Sequence, residues 1–399
     1  MRRRTGTRVA ASVVVTALVL SLLGACSWPR RIIEGAEEEL TEEPFYALPS
    51  PMPDGEPGDL VRSEPLASAA DGVKAWRVLY HSTDLDGDDI VVSGVVAAPD
   101  APAPDGGRTV VSWGHPTTGT TERCAPSVGI DPFDTIEGLE KLITRGYVVV
   151  ATDYAGMGAP GPDSFLVGET EGRNVLDAAR VATQLDVGAS DRVALWGHSQ
   201  GGHAALFAAE SADSYAPELD LQAVAVAAPA VDLAGLLDAD IGDISGVTIA
   251  AYAFDAYASV YEETRGAELD EILTPEAVAV VPEMAELCLF GQNDQLHELA
   301  RPLVGGFLAA DLATTEPWAD LLAENTPGTQ RLDVPLYVAQ GATDTLVRPE
   351  LTAAFVAQQQ SLGTDVTSQV VADTGHALVA VRALATMLPW LEDVAPAQR

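Results

Sequence analysis

Trp196-Gly197-His198-Ser199-Gln200-Gly201-Gly202 organises the reading of the whole chain. Arg192–Trp196 before it reads as a buried strand, and Gln200–Glu210 after it reads as a helix. A serine on so sharp a strand-to-helix turn has neighbouring backbone close by. Side chains two positions to either side would collide with that backbone, and Gly197 and Gly201 remove them. The helix that begins near Gln200 turns free N–H groups and its positive end toward the serine. Ser199 therefore reads as a nucleophile, with the Gln200 N–H as one donor to an oxyanion.

Outward from this turn, strands and helices alternate. Ala75–His81 and Asp89–Ala97 read as paired strands around the turn Asp84–Asp88, and Arg108–Trp113 as a third strand. A helix over Thr135–Thr144 closes at Arg145-Gly146, and the apolar run Tyr147–Ala151 is a strand covered on both faces. Helix Gly172–Leu185 and strand Leu221–Ala227 flank the serine turn on either side. After Asp232 the alternation gives way to about one hundred residues of Ala-, Leu- and acid-rich, helical character. It resumes with strand Pro335–Gln340, helix Pro349–Ser361, strand Asp365–Val371 and helix Ala377–Leu391. The pattern predicts an α/β fold: a mostly parallel sheet with helices on both faces and a helical cap inserted over 232–330.

A serine nucleophile needs a base, and the base needs an orienting acid. In sheets of this kind the acid and then the base follow the serine in chain order, on loops at the C-terminal ends of strands. Asp344 follows Pro335–Gln340 and His376 follows Asp365–Val371. Asp373 is the rival acid, three residues before His376, and reads as a turn former. The second oxyanion donor belongs to the loop after Arg108–Trp113, which reads Gly114-His115-Pro116-Thr117-Thr118-Gly119. Pro116 has no N–H, so the donor is Thr117 or Thr118. His198 packs beside the nucleophile, and His115, His203, His81 and His297 read as loop-setting or packing residues.

The N-terminus reads as an address. Arg2, Arg3, Arg4 and Arg8 precede the apolar stretch Val9–Leu23, and Leu22-Leu23-Gly24-Ala25-Cys26 resembles a bacterial lipobox. Residues 1–25 form a lipoprotein-type signal peptide, Cys26 takes the lipid, and the acidic segment 26–43 is a solvated tether. Residues 44–231 and 331–399 make the two parts of the body around the cap. The chain of 399 residues is 47% hydrophobic, enough for a large core, and carries a net charge of −37. Losing residues 1–25 removes four arginines and no acids, which takes the charge to −41. So acidic a chain excludes nucleic acid as a partner, because phosphate binding needs a basic face. With Cys26 lipidated, Cys124 and Cys288 remain as one pair in an oxidising compartment and are expected to bridge. A loop that long is worth up to about 5 kcal/mol on the chain-entropy estimate. The three cysteines lack metal-site spacing, and the chemistry calls for no metal and no cofactor.

With these residues in place, the chain resembles the α/β-hydrolase superfamily, and within it the secretory lipase family, fungal lipases of the Candida lipase A type among its members. The resemblance runs from about Pro44 to the C-terminus. It rests on Pro44-Phe45-Tyr46, Cys124-Ala125-Pro126-Ser127, the strand and Asp-Tyr-x-Gly of Tyr147–Gly156, and Leu176-Asp177-Ala178-Ala179-Arg180. The serine turn, Ser211–Leu219, Gly341…Asp344 and His376 complete it. It implies a triad of Ser199, Asp344 and His376, a Cys124–Cys288 bridge, and a loop donor six residues before that cysteine, at Thr118. It also implies that the cap at 232–330 covers an acyl-binding tunnel, without carrying over an acyl-chain length. The reading is an exported, lipid-anchored serine carboxylester hydrolase of the lipase or esterase type, acting on a small-molecule ester or lipid. The alternative is an acyltransferase or peptidase on the same triad. A binding protein that merely keeps the fold predicts a broken triad, and none of the three positions is broken.

Overall fold

The computed structural model describes residues 45–398, apart from residues 68 and 130. The signal peptide, Cys26 and the acidic tether lie outside the described residues. Nine strands form one sheet: β1 (Leu60–Pro65), β2 (Val73–Thr83), β3 (Asp89–Pro99), β4 (Arg108–Gly114), β5 (Val148–Thr152), β6 (Ala189–His198), β7 (Asp220–Ala227), β8 (Leu336–Gly341) and β9 (Val366–Val371). Their order is β1-β2-β3-β5-β4-β6-β7-β8-β9. The first three strands run antiparallel along one edge, and β5, β4, β6, β7, β8 and β9 are mutually parallel. The β2–β3 hairpin is in register from Val73↔Pro99 to Thr83↔Asp89. Its turn is held by Asp84, whose Oδ1 accepts from the backbone N–H groups of Asp86 and Asp88 (3.0 and 2.9 Å).

The described α-helices, in chain order, are α1 (Leu139–Arg145), α2 (Gly168–Gln184), α3 (Gln200–Tyr215), α4 (Leu233–Asp240), α5 (Ile244–Arg265), α6 (Pro275–Ala285), α7 (Leu289–Ala300), α8 (Trp318–Glu324), α9 (Pro349–Leu362) and α10 (Val379–Val394). Alternation along the buried strands sorts two cores. Val148, Val150, Val193, Leu195, Val224 and Val226 face α2 and α3. Ala194, Trp196, Ala223, Ala225 and Ala227 face α1 and α10. The small alanines on this second face leave room for Trp113 and Trp196, whose rings sit 5.6 Å apart. The mostly parallel sheet with helices on both faces is the expected α/β fold.

Three elements differ from the sequence expectation; one is α2, which begins at Gly168, four residues before the expected Gly172. The helix expected from Thr135 starts only at Leu139, because Gly138 precedes it in the left-handed region (φ 93°) and residues 132–138 form turns. The Pro- and Gly-punctuated stretch before β2 contains β1, an edge strand of mixed burial whose pattern lacks an apolar face.

Between β7 and β8 lie α4–α8. Asp232, Asp243 and Thr274 cap three of these helices through their side chains. The helices share an apolar cluster that includes Phe254, Phe307 and Trp318, and it reaches the body at Phe165, Leu166 and Val167. A disulfide between Cys124 and Cys288 (Cα–Cα 5.2 Å) ties α7 to the loop after β4.

Candidate active site

Ser199 sits between the last residue of β6 and the first of α3, at φ 57° and ψ −116°. A non-glycine residue pays for this conformation, and the surroundings hold it there. Its N–H donates to Ala227 O (2.9 Å), and its carbonyl accepts from His203 N–H (3.0 Å). The two glycines are required by contact. A Cβ on Gly197 would lie 2.0 Å from Gly201 O, and one on Gly201 would lie 1.9 Å from Gly114 O. α3 therefore packs directly on the end of β4.

His376 begins a short 3₁₀ turn after β9, and Asp344 lies in the turn after β8. The parallel sheet brings both loops to the edge that carries Ser199. His376 Nε2 is 2.9 Å from Ser199 Oγ, and His376 Nδ1 is 2.9 Å from Asp344 Oδ2. The Asp344 side chain is fully buried. Its Oδ1 accepts from Leu346 N–H and Val347 N–H (2.9 and 3.0 Å). Asp373 makes no such contact. It holds a positive φ of 50° in its turn, and its carbonyl accepts from Arg382 (2.7 Å).

The serine opens into a cavity of about 260 Å³, walled mainly by apolar side chains of the cap and of the α2 entry, among them Leu233, Leu237, Ile249, Tyr257, Leu322 and Phe165. Thr117 and Gln200 stand on its wall. Thr118 is buried beside them, and its carbonyl accepts from Leu289 N–H (2.8 Å). Gly119 packs against the disulfide, where a Cβ would meet Cys124 Sγ at 2.6 Å. The bridge therefore braces the Thr117–Thr118 loop from the cap side.

Several residues that the sequence did not single out support this arrangement. Glu171 is fully buried, and its Oε1 accepts from Gln200 Nε2 and Leu166 N–H (2.6 and 3.0 Å). Its Oε2 lies 3.2 Å from His203 Nδ1, and His203 Nε2–H donates to Asn325 O (2.8 Å). Asn325 belongs to the segment that leaves the cap, so Gln200, the residue after Ser199, is tied through Glu171 and His203 to both layers. Arg348 reaches from the Asp344 turn to Asp240 Oδ1 (2.6 and 3.0 Å) and Ala239 O (2.9 Å) at the end of α4. No sequence pattern marks such partners, because they meet only once the helices have packed together and the cap lies on the body. His115 donates from Nδ1 to Pro116 O (2.7 Å) and packs on Tyr154, and burial pushes its pKa down. Burial raises that of Asp153, although Ser93 and Ser127 donate to it. Among the described residues no group of three or more His, Cys, Asp or Glu gathers as a metal site.

A sheet of this order, with Ser199 on a glycine-flanked elbow and Asp344 and His376 on later strand ends, has the architecture of the α/β-hydrolases. The structure of Candida antarctica lipase A in its closed state superposes with a TM-score of 0.74 over 89% of this chain and 86% of that one, at 20% identity. Residues 133–396 match the model of the family described as secretory lipase, and the chain belongs to that family. A lipase A of Moesziomyces aphidis is 29% identical over 195 residues, 45% of this chain and 41% of that protein. Lipase 6 of Candida albicans is 25% identical over 344 residues, 77% of this chain and 71% of that protein. A Mycobacterium tuberculosis protein named "Probable inactive lipase" is 28% identical over 211 residues, 48% of this chain and 46% of that protein. Of these three relatives, the chain spans less than half the length of the first and the last.

Proposed function

We propose that the chain is an exported serine carboxylester hydrolase that works through an acyl-enzyme. The observation that carries this is the unbroken hydrogen-bonded line from Asp344 through His376 to Ser199, with 2.9 Å at each step, at the mouth of an apolar cavity. A relative named as a probable inactive lipase means that the reading rests on the intact line and not on family membership alone. Ser199 Oγ attacks the ester carbonyl as His376 Nε2 takes its proton. Asp344 holds the proton on Nδ1, so Nε2 is the free base. The oxyanion takes the Gln200 N–H and one N–H of the Thr117–Thr118 loop. Thr117 is favoured by its place on the cavity wall. His376 returns the proton to the leaving alcohol, and a water then repeats the sequence on the acyl-enzyme to release the acid.

Export and anchoring belong to the same reading. The signal peptide over 1–25 delivers the chain, lipid on Cys26 holds it at the envelope, and residues 26–43 tether the body 44–231 and 331–399 with its cap 232–330. An oxidising compartment suits the Cys124–Cys288 bridge. Among the described residues no helix is long and apolar enough to cross a membrane. Cys26→Ala is expected to move the protein from the membrane fraction to the soluble one. Unchanged fractionation would remove the anchor from this reading.

The decisive experiment is hydrolysis of p-nitrophenyl acetate, butyrate, octanoate and palmitate by the full chain and by Ser199→Ala. Activity that vanishes in the variant and rises with chain length supports a lipase. A maximum at acetate or butyrate makes it a small-ester esterase. A wild-type chain inert on all four overturns the ester reading.

A further inference from the structure

His198 is the residue between Gly197 and the nucleophile, and its ring packs on the ring of His376, centroid to centroid at 5.0 Å. It is 2% exposed, and neither ring nitrogen has a hydrogen-bond partner. Its Nδ1 lies 3.1 Å from Glu137 Oε2, yet the two lack the alignment of a hydrogen bond, and that oxygen is also buried without one. Both residues line the catalytic cavity, whose wall is otherwise mostly apolar. The Glu137 main chain is anchored, since its carbonyl accepts from Trp196 Nε1 (2.9 Å), so the carboxylate is presented from a fixed backbone. Phenylalanine would fill the same space against His376. Nε2 of His198 is without a hydrogen bond among the described residues and Nδ1 has only the misaligned Glu137 contact, and buried polar atoms of this kind call for a partner.

We propose that Glu137 and His198 form a subsite for a free hydroxyl on the leaving alcohol, so that partial esters of polyols are preferred over esters of simple alcohols. This rests on the hydrolase reading above. His376 must reach the leaving oxygen at hydrogen-bond distance, roughly 3 Å, to protonate it. A hydroxyl one or two carbons further along that alcohol then falls beside the stacked His198 ring. A hydroxyl suits the pair chemically: its hydrogen donates to the Glu137 carboxylate and its oxygen accepts from a His198 N–H. An ether or carbonyl oxygen could use only the donor, and an alkyl group neither. A site built to hydrogen-bond a hydroxyl discriminates strongly against the analogue that lacks it.

The test compares kcat/KM for 1-monooctanoylglycerol and ethyl octanoate, which share an acyl group, in the full wild-type chain, Glu137→Gln and His198→Phe. The expected result is a glycerol-to-ethyl ratio well above one in the wild type that falls about 10-fold or more in each variant. Glu137→Gln carries the test alone if His198→Phe does not fold. Variants that lower both esters equally, leaving the ratio unchanged, overturn the subsite and make the pair a positioning device for His376. A wild-type chain that hydrolyses both esters at equal efficiency also overturns it. A wild-type chain inert on both esters overturns the hydrolase reading and the subsite with it.

Discussion

Asp344 shows how much a single oxygen decides. Leu346 N–H and Val347 N–H both donate to its Oδ1, which leaves Oδ2 to His376. In Asp344→Asn the amide oxygen must stay with those two donors, so the NH₂ group faces His376 Nδ1. The imidazole is then forced to carry its proton on Nε2, where it cannot accept one from Ser199 Oγ. Gln340 Nε2 donates to Oδ2 only at 3.4 Å, so its preference for an oxygen there is outweighed by the two shorter backbone bonds to Oδ1. We expect Asp344→Asn to keep its fold and lose about 10³–10⁴ in kcat with little change in KM. Steady-state kinetics and circular dichroism check both halves; an Asn variant with wild-type kcat would remove Asp344 from the line.

The junction of β4, β6 and α3 depends on absent side chains. A methyl group on Gly201 would meet the Gly114 carbonyl at 1.9 Å, a backbone atom of a central strand that cannot swing aside. Gly201→Ala should cost about 3 kcal/mol or more. It should also displace the loop that starts at Gly114 and carries the proposed oxyanion donor. Urea unfolding reads the first effect and kcat the second. The bridge is the other junction. It joins α7 to the loop after β4, and Leu289 N–H holds Thr118 O (2.8 Å) beside it. Replacing both Cys124 and Cys288 with serine should lower stability by about 2–5 kcal/mol. Activity should fall before the chain unfolds, because Thr117 and Thr118 lose their brace; parallel loss of activity and structure on heating would refute that order.

Across the molecule, the buried Asp177 and the half-buried Asp163 couple stability to pH. Burial, with help from the nearby Asp255 carboxylate of α5, pushes Asp163 up to about 7. Burial pushes Asp177 up to about 6, against the bonds it accepts from Ser82, Arg180 and Tyr215. Each group keeps its proton longer in the folded than in the unfolded chain. Their stabilising contribution is therefore whole below the ordinary value of 3.8 and is lost as pH rises through about 6 and 7. Tm should fall from pH 5 to pH 8. Asp163→Asn, which keeps the acceptor for Phe165 N–H (3.0 Å), should flatten that slope. An unchanged slope would place the pH dependence elsewhere. The net charge of −37 acts at longer range. It should favour neutral over anionic ester surfaces at low salt and lose that preference as salt screens it. Rates on neutral and anionic vesicles of one ester, at about 10 and 500 mM salt, test this.

What could be read from the chain alone is what short-range physics enforces. The elbow at Ser199 was legible because a serine between two obligatory glycines, after a buried strand and before a helix, has few other conformations. The strand–helix alternation, and with it the α/β fold, was legible because periodicity is a property of neighbours in sequence. Asp344 and His376 could be nominated because each follows a strand of a parallel sheet, whose C-terminal ends meet at one edge. β1 was missed because an edge strand with no apolar face leaves no periodic mark. The start of α1 was misplaced because Gly138 ends the preceding turns. Tertiary structure alone decided the rest: Glu171 beneath Gln200, Arg348 on the tail of α4, His198 against His376, and Thr117 on the cavity wall. Those contacts join residues from tens to more than a hundred positions apart, and which of them meet depends on how the helices pack on the sheet and, for Arg348, on how the cap packs on the body. Only the folded chain brings such groups within hydrogen-bonding distance.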